Sequence, residues 1–170
     1  MARTIVHTGR RIKVAVESEQ LPDGACLKRD LVLHPGGVVI LPLVDSDHVC
    51  LLHQRRFAVN EHLWELPAGT LEPDEDPLTT AQRELSEETG YVARDWRKLL
   101  QFYPSPGFLN EVLHLFLARD LSAGAATPEA GEEIQTHVVP LSQALEWTRD
   151  GTITDGKTLL ALLWWQLWRK

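Results

Sequence analysis

Apolar and polar residues alternate through residues 11–19 (RIKVAVESE), the two-residue period of a half-buried strand. Leu21-Pro22-Asp23-Gly24 is a turn signal, and residues 26–34 read as the returning strand of an antiparallel hairpin. Pro35-Gly36-Gly37 interrupts the pattern before the continuous apolar run 38–44 (VVILPLV), which predicts a strand buried on both faces. A polar turn at 45–48 leads into a strand over 49–56, then a loop at 57–61 and an irregular approach at 64–69. The period then changes. Leu78, Ala81 and Leu85 mark the buried stripe of a helix over 77–89. Asp76 suits the N-cap, Pro77 the first helical position and Gly90 the left-handed stop. Strands are expected at 99–103, 111–118 and 134–139, with a connecting loop at 104–110 and a long, mobile polar loop at 120–133. Helices follow at 141–149 and 158–168. The class is α+β, a mixed β-sheet with helices packed against it.

Composition narrows this picture only a little. The 170 residues are 44% hydrophobic and 24% charged, ordinary proportions for a globular chain long enough to bury a substantial core. A net charge of −7 argues against a broad nucleic-acid face and permits small anionic substrates where cations offset the local charge. No apolar run has the length of a bilayer span and no leader pattern opens the chain, so a cytoplasmic protein without a membrane partner is expected. Cys26 and Cys50 read as reduced thiols. The apolar run 158–168 reads as a core helix rather than a membrane-surface one, since only Arg169 and Lys170 flank it with positive charge. His34, His53, His62, His114 and His137 show no helical i, i+4 pairing, which argues against ligand roles.

The candidate chemistry lies between Gly69 and Tyr91. Glu84, Glu87 and Glu88 share one face of the predicted helix, opposite Leu85. Like charges at that spacing each cost roughly 0.2–0.5 kcal/mol in a bare helix. A solvated acidic face is the common meaning of such a cluster. A hard divalent cation, which prefers oxygen ligands, would turn the repulsion into a site. Arg83 can reach Glu87 along the helix and Glu75 before it, fixing the carboxylates in place.

The segment resembles the signature of the Nudix hydrolases, G-x5-E-x7-R-E-U-x-E-E-x-G-U with U a bulky aliphatic. Gly69, Glu75, Arg83, Glu84, Glu87, Glu88 and Gly90 all match, and Tyr91 departs at the last U. Chance agreement at those positions is on the order of one in 10^8 windows. The resemblance implies an α/β/α sandwich around a mixed sheet and hydrolysis of a nucleoside diphosphate linked to another moiety. It also implies Mg2+ or Mn2+, two or more ions, with Glu84 and Glu88 the main ligands and Glu87 a ligand or base. The carbonyl of Ala68 would join them.

Flanking residues resemble the ADP-ribose pyrophosphatase branch of that family. Glu65-Leu66-Pro67-Ala68-Gly69 matches its ELPAG lead-in, and Gln54-Arg55-Arg56 its Q-x-R segment. Arg29-Asp30 through His34-Pro35-Gly36 and the later Ser105-Pro106-Gly107-Phe108 are similar to two further segments. Substrate contacts are thereby expected from Arg29, Arg56, Glu65, Pro106, Gly107 and Glu111. Arg56 offers a guanidinium fork for a diphosphate oxygen, and Glu111 a carboxylate for ribose hydroxyls. In the loop before Ile134, Glu132 fits a metal-ligand position. The position expected to carry the water-activating carboxylate is Ala130, with Glu129 beside it. The resemblance further implies a homodimer built through residues 1–36, with 37–170 the catalytic domain of one structural unit. Its products would be AMP and ribose 5-phosphate. Other nucleoside diphosphate sugars, NADH or FAD are the alternative substrates, and a silent nucleotide sensor the alternative class.

Overall fold

Residues 2–127 and 133–168 are described by a computed structural model. The expected hairpin is present as β2 (Lys13–Gln20) and β3 (Cys26–Leu33), paired antiparallel. A further strand, β1 (Ala2–Thr8), joins its edge to make an outlying three-stranded antiparallel sheet. All seven residues of β1 are exposed, so no apolar face marks it in the sequence.

The run read as doubly buried is β4 (Gly37–Pro42), and every residue in it is buried. It pairs in parallel with β9 (Leu113–Ala123) and antiparallel with the short β7 (Ala68–Thr70), and β8 (Tyr91–Phe102) closes the far edge of this mixed sheet. A second sheet, in the order β10-β5-β6, comprises β5 (His48–Arg56), β6 (Glu61–Glu65) and β10 (Ile134–Pro140). Successive side chains of β4 feed two cores. Val38 and Ile40 meet Ala81 and Leu85 of helix α1 (Pro77–Thr89). Val39 and Leu41 face the other way, into a larger cluster with Leu51, Leu115, Leu141 and Leu162. That side is covered by α2 (Leu141–Asp150) and α3 (Gly156–Trp168). The mixed sheet thus lies between helical layers, as expected of an α/β/α sandwich.

Several boundaries differ from the sequence expectation. The predicted loop at 57–61 is a tight turn into β6, with Asn60 N–H donating to Arg56 O at 2.8 Å and Asn60 at φ 56°. Strand β8 begins at Tyr91 rather than residue 99. Its outer positions carry Arg94, Asp95, Arg97 and Lys98, which mask the alternation. The polar loop begins at Gly124, because residues 120–123 continue β9 beside β8. Glu111 precedes its strand instead of starting it. No helix among the described residues is long and apolar enough to cross a membrane.

Candidate functional site

Helix α1 is fixed at both ends by its own sequence. Asp76 Oδ2 accepts from the N–H groups of Leu78 and Thr79, and Gly90 closes the helix at φ 75°. Leu85 is buried on the sheet, so the carboxylate face is turned to the rim formed by Ala68 and Gly69. A side chain on Gly69 would overlap Cδ and Oε1 of Glu84. Glycine there is what lets the Glu84 carboxylate lie directly against the backbone of β7.

Arg83 organises the acidic cluster. Its Nη1 donates to Glu84 Oε1 at 2.8 Å and to Glu87 Oε2 at 2.9 Å, while Nε and Nη2 reach Glu75 at 3.2 Å each. These bonds, first of all those to Glu75, hold the Arg83 guanidinium firmly protonated and pull the Glu75 carboxyl down to about 2. Glu88 is only 5% exposed, and its Oε2 accepts from Ala68 N–H at 3.0 Å. Beneath it, burial and then the Glu88 charge push the Cys50 thiol up to about 12, which makes that free cysteine unreactive.

Among the described residues no three His, Cys, Asp or Glu side chains stand as a ready metal cage. Arg83 lies between Glu84 and Glu87, and Glu88 is turned to Ala68. The donors nonetheless suit a hard cation. All are oxygens, Glu84 and Glu87 converge on a single nitrogen, and the Gly69 cradle keeps the backbone close.

Two cavities meet at this rim, and Arg11 and Thr70 line both. The first, about 510 Å³, is lined by Arg56, Ala68, Gly69, Glu111, Asp155 and Lys157, among others. The second, about 730 Å³, is lined by Arg10, Arg11, Lys13, Arg83 and Glu84, with Ile12, Leu33 and Leu71 among its apolar residues. Arg56 grips Glu65 with two parallel bonds, Nε to Oε1 at 2.6 Å and Nη2 to Oε2 at 2.7 Å. Lys157 donates to the same Oε2. Burial raises the Glu65 pKa, but these two cations more than offset it and leave a net lowering. Glu111 Oε1 lies 3.1 Å from His34 Nδ1, which joins the His-Pro-Gly segment to the first cavity.

A family model described as NUDIX domain matches residues 33–161. The chain belongs to the Nudix family. It is 38% identical over 169 residues to an ADP-ribose pyrophosphatase of Bacillus subtilis, covering 98% of this chain and 91% of that one. A methanol dehydrogenase activator of Bacillus methanolicus is 37% identical over 164 residues, covering 95% and 89%. In fold, the chain superposes on a crystal structure described as an ADP compounds hydrolase with TM-score 0.86 and 21% identity, covering 99% and 91%.

Within this Nudix chain the expected residues do not all meet in one place. Arg83, Glu84, Glu87, Glu88 and Ala68 come together at the rim, and Arg56 and Glu111 line the adjoining cavity. Arg29 does not reach either cavity; it donates to Glu19 on the outlying sheet at 3.0 Å. Pro106 and Gly107 line neither cavity and belong to a turn in which Ser105 O accepts from Phe108 and Leu109. Glu65 has a side chain only 1% exposed with both oxygens taken by cations. Glu129, Ala130 and Glu132 lie outside the described residues. Glu133, which follows them, is exposed and stands 4.0 Å from Arg55.

Sequence reasoning missed Asp155 and Lys157. The helix was expected from Thr158, whereas it starts at Gly156 with Asp155 accepting from Thr158 N–H at 3.0 Å. The signal was available: an aspartate three residues before a threonine at the head of an apolar run is a helix start.

Proposed function

We propose that this Nudix enzyme hydrolyses the diphosphate of ADP-ribose to AMP and ribose 5-phosphate with Mg2+ or Mn2+. The observation that carries this reading is the junction of the Glu84–Glu87–Glu88 face with a cavity bearing Arg56 and Glu111. A carboxylate trio placed next to a phosphate-binding fork and a hydroxyl-binding carboxylate suits a diphosphate with a sugar beyond it. The name of the Bacillus subtilis relative supports the same substrate.

In this mechanism Arg56, held flat by Glu65, binds a non-bridging oxygen and sets the diphosphate in line for attack. Glu111 accepts hydroxyl protons of the terminal ribose. Glu84, Glu87, Glu88, Glu132 and the Ala68 carbonyl would hold divalent cations, and Arg83 gathers Glu84 and Glu87 through one nitrogen. Bound cations supply charge neutralisation at the non-bridging oxygens and a lowered pKa for water. The water oxygen bonds to one phosphorus, the bridging P–O bond breaks, and the bridging oxygen leaves with the second phosphate. A proton of the water goes to a loop carboxylate, Glu129, Glu132 or Glu133. We further assign the exposed Ile5 and Val6 of the outlying sheet to a homodimer face, and free Cys26 and Cys50 to a cytoplasmic location.

The test is AMP release from a panel of ADP-ribose, a second nucleoside diphosphate sugar, NADH and FAD, with and without Mg2+. ADP-ribose should lead the panel, and chelation should stop release. Glu88→Gln should keep the fold and lose at least a hundredfold in turnover. Near-normal turnover in that variant would remove Glu88 from the mechanism, and binding without turnover in the wild type would make the protein a sensor.

A further inference from the structure

We propose that Lys157 is a substrate-binding cation which, with Arg56, grips the phosphate entering the first cavity, both being aimed by the buried Glu65. This rests on the reading of the site as a diphosphate-binding one and extends it to a residue in the first turn of α3.

The two cations come from distant parts of the chain. Arg56 ends β5, and Lys157 lies 92 residues beyond Glu65. They converge because β6 and α3 are stitched together at consecutive positions. Glu65 accepts from Lys157, and the next backbone N–H, that of Leu66, donates to Thr158 Oγ1 at 2.8 Å. Asp155 completes the arrangement, accepting from Thr158 through Oδ2 and from Lys157 at 2.9 Å through Oδ1.

This geometry does more than dock a helix. A lysine has three donors, of which Glu65 and Asp155 take two. The Lys157 side chain keeps 16% exposure, Arg56 keeps 41%, and both line the cavity that carries Ala68 and Gly69. Glu65, at 1%, is sealed beneath them. Arg56 and Lys157 balance Glu65 and Asp155 in charge, so the cluster recognises an anion by aimed donors rather than by excess charge. Fixing a four-torsion lysine before the ligand arrives removes an ordering cost from binding. A side chain that served only as a staple would need no access to the cavity.

The experiment compares wild type with Lys157→Gln and Lys157→Arg. Lys157→Gln keeps hydrogen-bond donors for Glu65 and Asp155 but loses the charge, so it should fold. KM for ADP-ribose should rise about tenfold in Lys157→Gln with a smaller change in kcat, and Lys157→Arg should recover much of the loss. Inhibition by a phosphate-bearing product should weaken in parallel, while inhibition by adenosine should not change. Binding of inorganic pyrophosphate in the presence of Mg2+, followed by calorimetry, should also weaken about tenfold. That last measurement stands apart from the choice of ADP-ribose. If the wild type fails to turn over ADP-ribose, the substrate reading falls, while a Lys157-dependent pyrophosphate affinity upholds the clamp. A lowered Tm with unchanged KM and unchanged pyrophosphate affinity would overturn the proposal and leave Lys157 a staple.

Discussion

At the scale of single residues, Gly69 separates what the fold needs from what the site needs. The atoms that a side chain there would meet belong to the end of Glu84, a flexible side chain that can swing away. Gly69→Ala should therefore cost little stability. It should displace the Glu84 carboxylate from the backbone of β7, and with it the cluster that Arg83 gathers. We expect a Tm within a few degrees of wild type and a fall in turnover of at least a hundredfold, read from thermal melts and AMP release on one preparation. A large loss of stability with activity retained per folded molecule would show that the glycine serves packing. The contrast with Gly90 is instructive. There φ is 75° and the nearest atoms are backbone of the 124–126 segment, so that glycine is required by the fold.

At the scale of elements, α1 carries the proposed metal-binding glutamates, and its N-cap is the place to weaken it without touching them. Asp76→Ala removes the acceptor for two N–H groups and should cost about 1 kcal/mol, a Tm drop of roughly 2–4 °C. Turnover well below the optimum temperature should barely change, since Leu85 and Ala81 still fix the helix on β4. Loss of activity at full folding would mean that the cap sets the position of Glu84 as well. This helix was legible in the sequence because cap, stripe and stop agree, and β4 because all six of its residues are buried. β1 was not legible, being exposed on both faces, and β8 hid behind the charges of its outer positions. The site shows the same division. Spacing along one helix revealed Glu84, Glu87 and Glu88. The approach of Lys157 to Glu65 across 92 residues leaves no local period to read, and only the Asp155 cap hinted at where that helix begins.

At the scale of the whole molecule, the perturbed histidines and Glu75 point in one direction: the fold should weaken toward acid in two separate steps. On β5, burial chiefly, with the nearby His62 and His137, lowers the pKa of His53 below its ordinary 6.5. His114 on β9 is lowered as well, chiefly by burial and then by Lys98. Both histidines stay neutral in the fold at a pH where the unfolded chain has already taken up protons. Their contribution is complete above pH 6.5 and declines as pH falls below it. Glu75 acts lower. Its ordinary 4.5 drops to about 2 beside Arg83, so its stabilisation is present above 4.5 and is lost between there and about 2. Because water reaches this pair, it is worth on the order of 1–2 kcal/mol rather than the full shift. Urea midpoints measured in the presence of chelator should fall from pH 7 to 5.5 and again from pH 4.5 to 3. His53→Gln should shrink the first step to the part that His114 contributes and leave the second. Glu75→Gln should lower the midpoint at pH 7 and flatten the second step, because the variant has no carboxylate to lose. A midpoint constant from pH 7 to 3 would mean that neither the histidine face of the β10-β5-β6 sheet nor the Glu75–Arg83 pair contributes to holding the fold together.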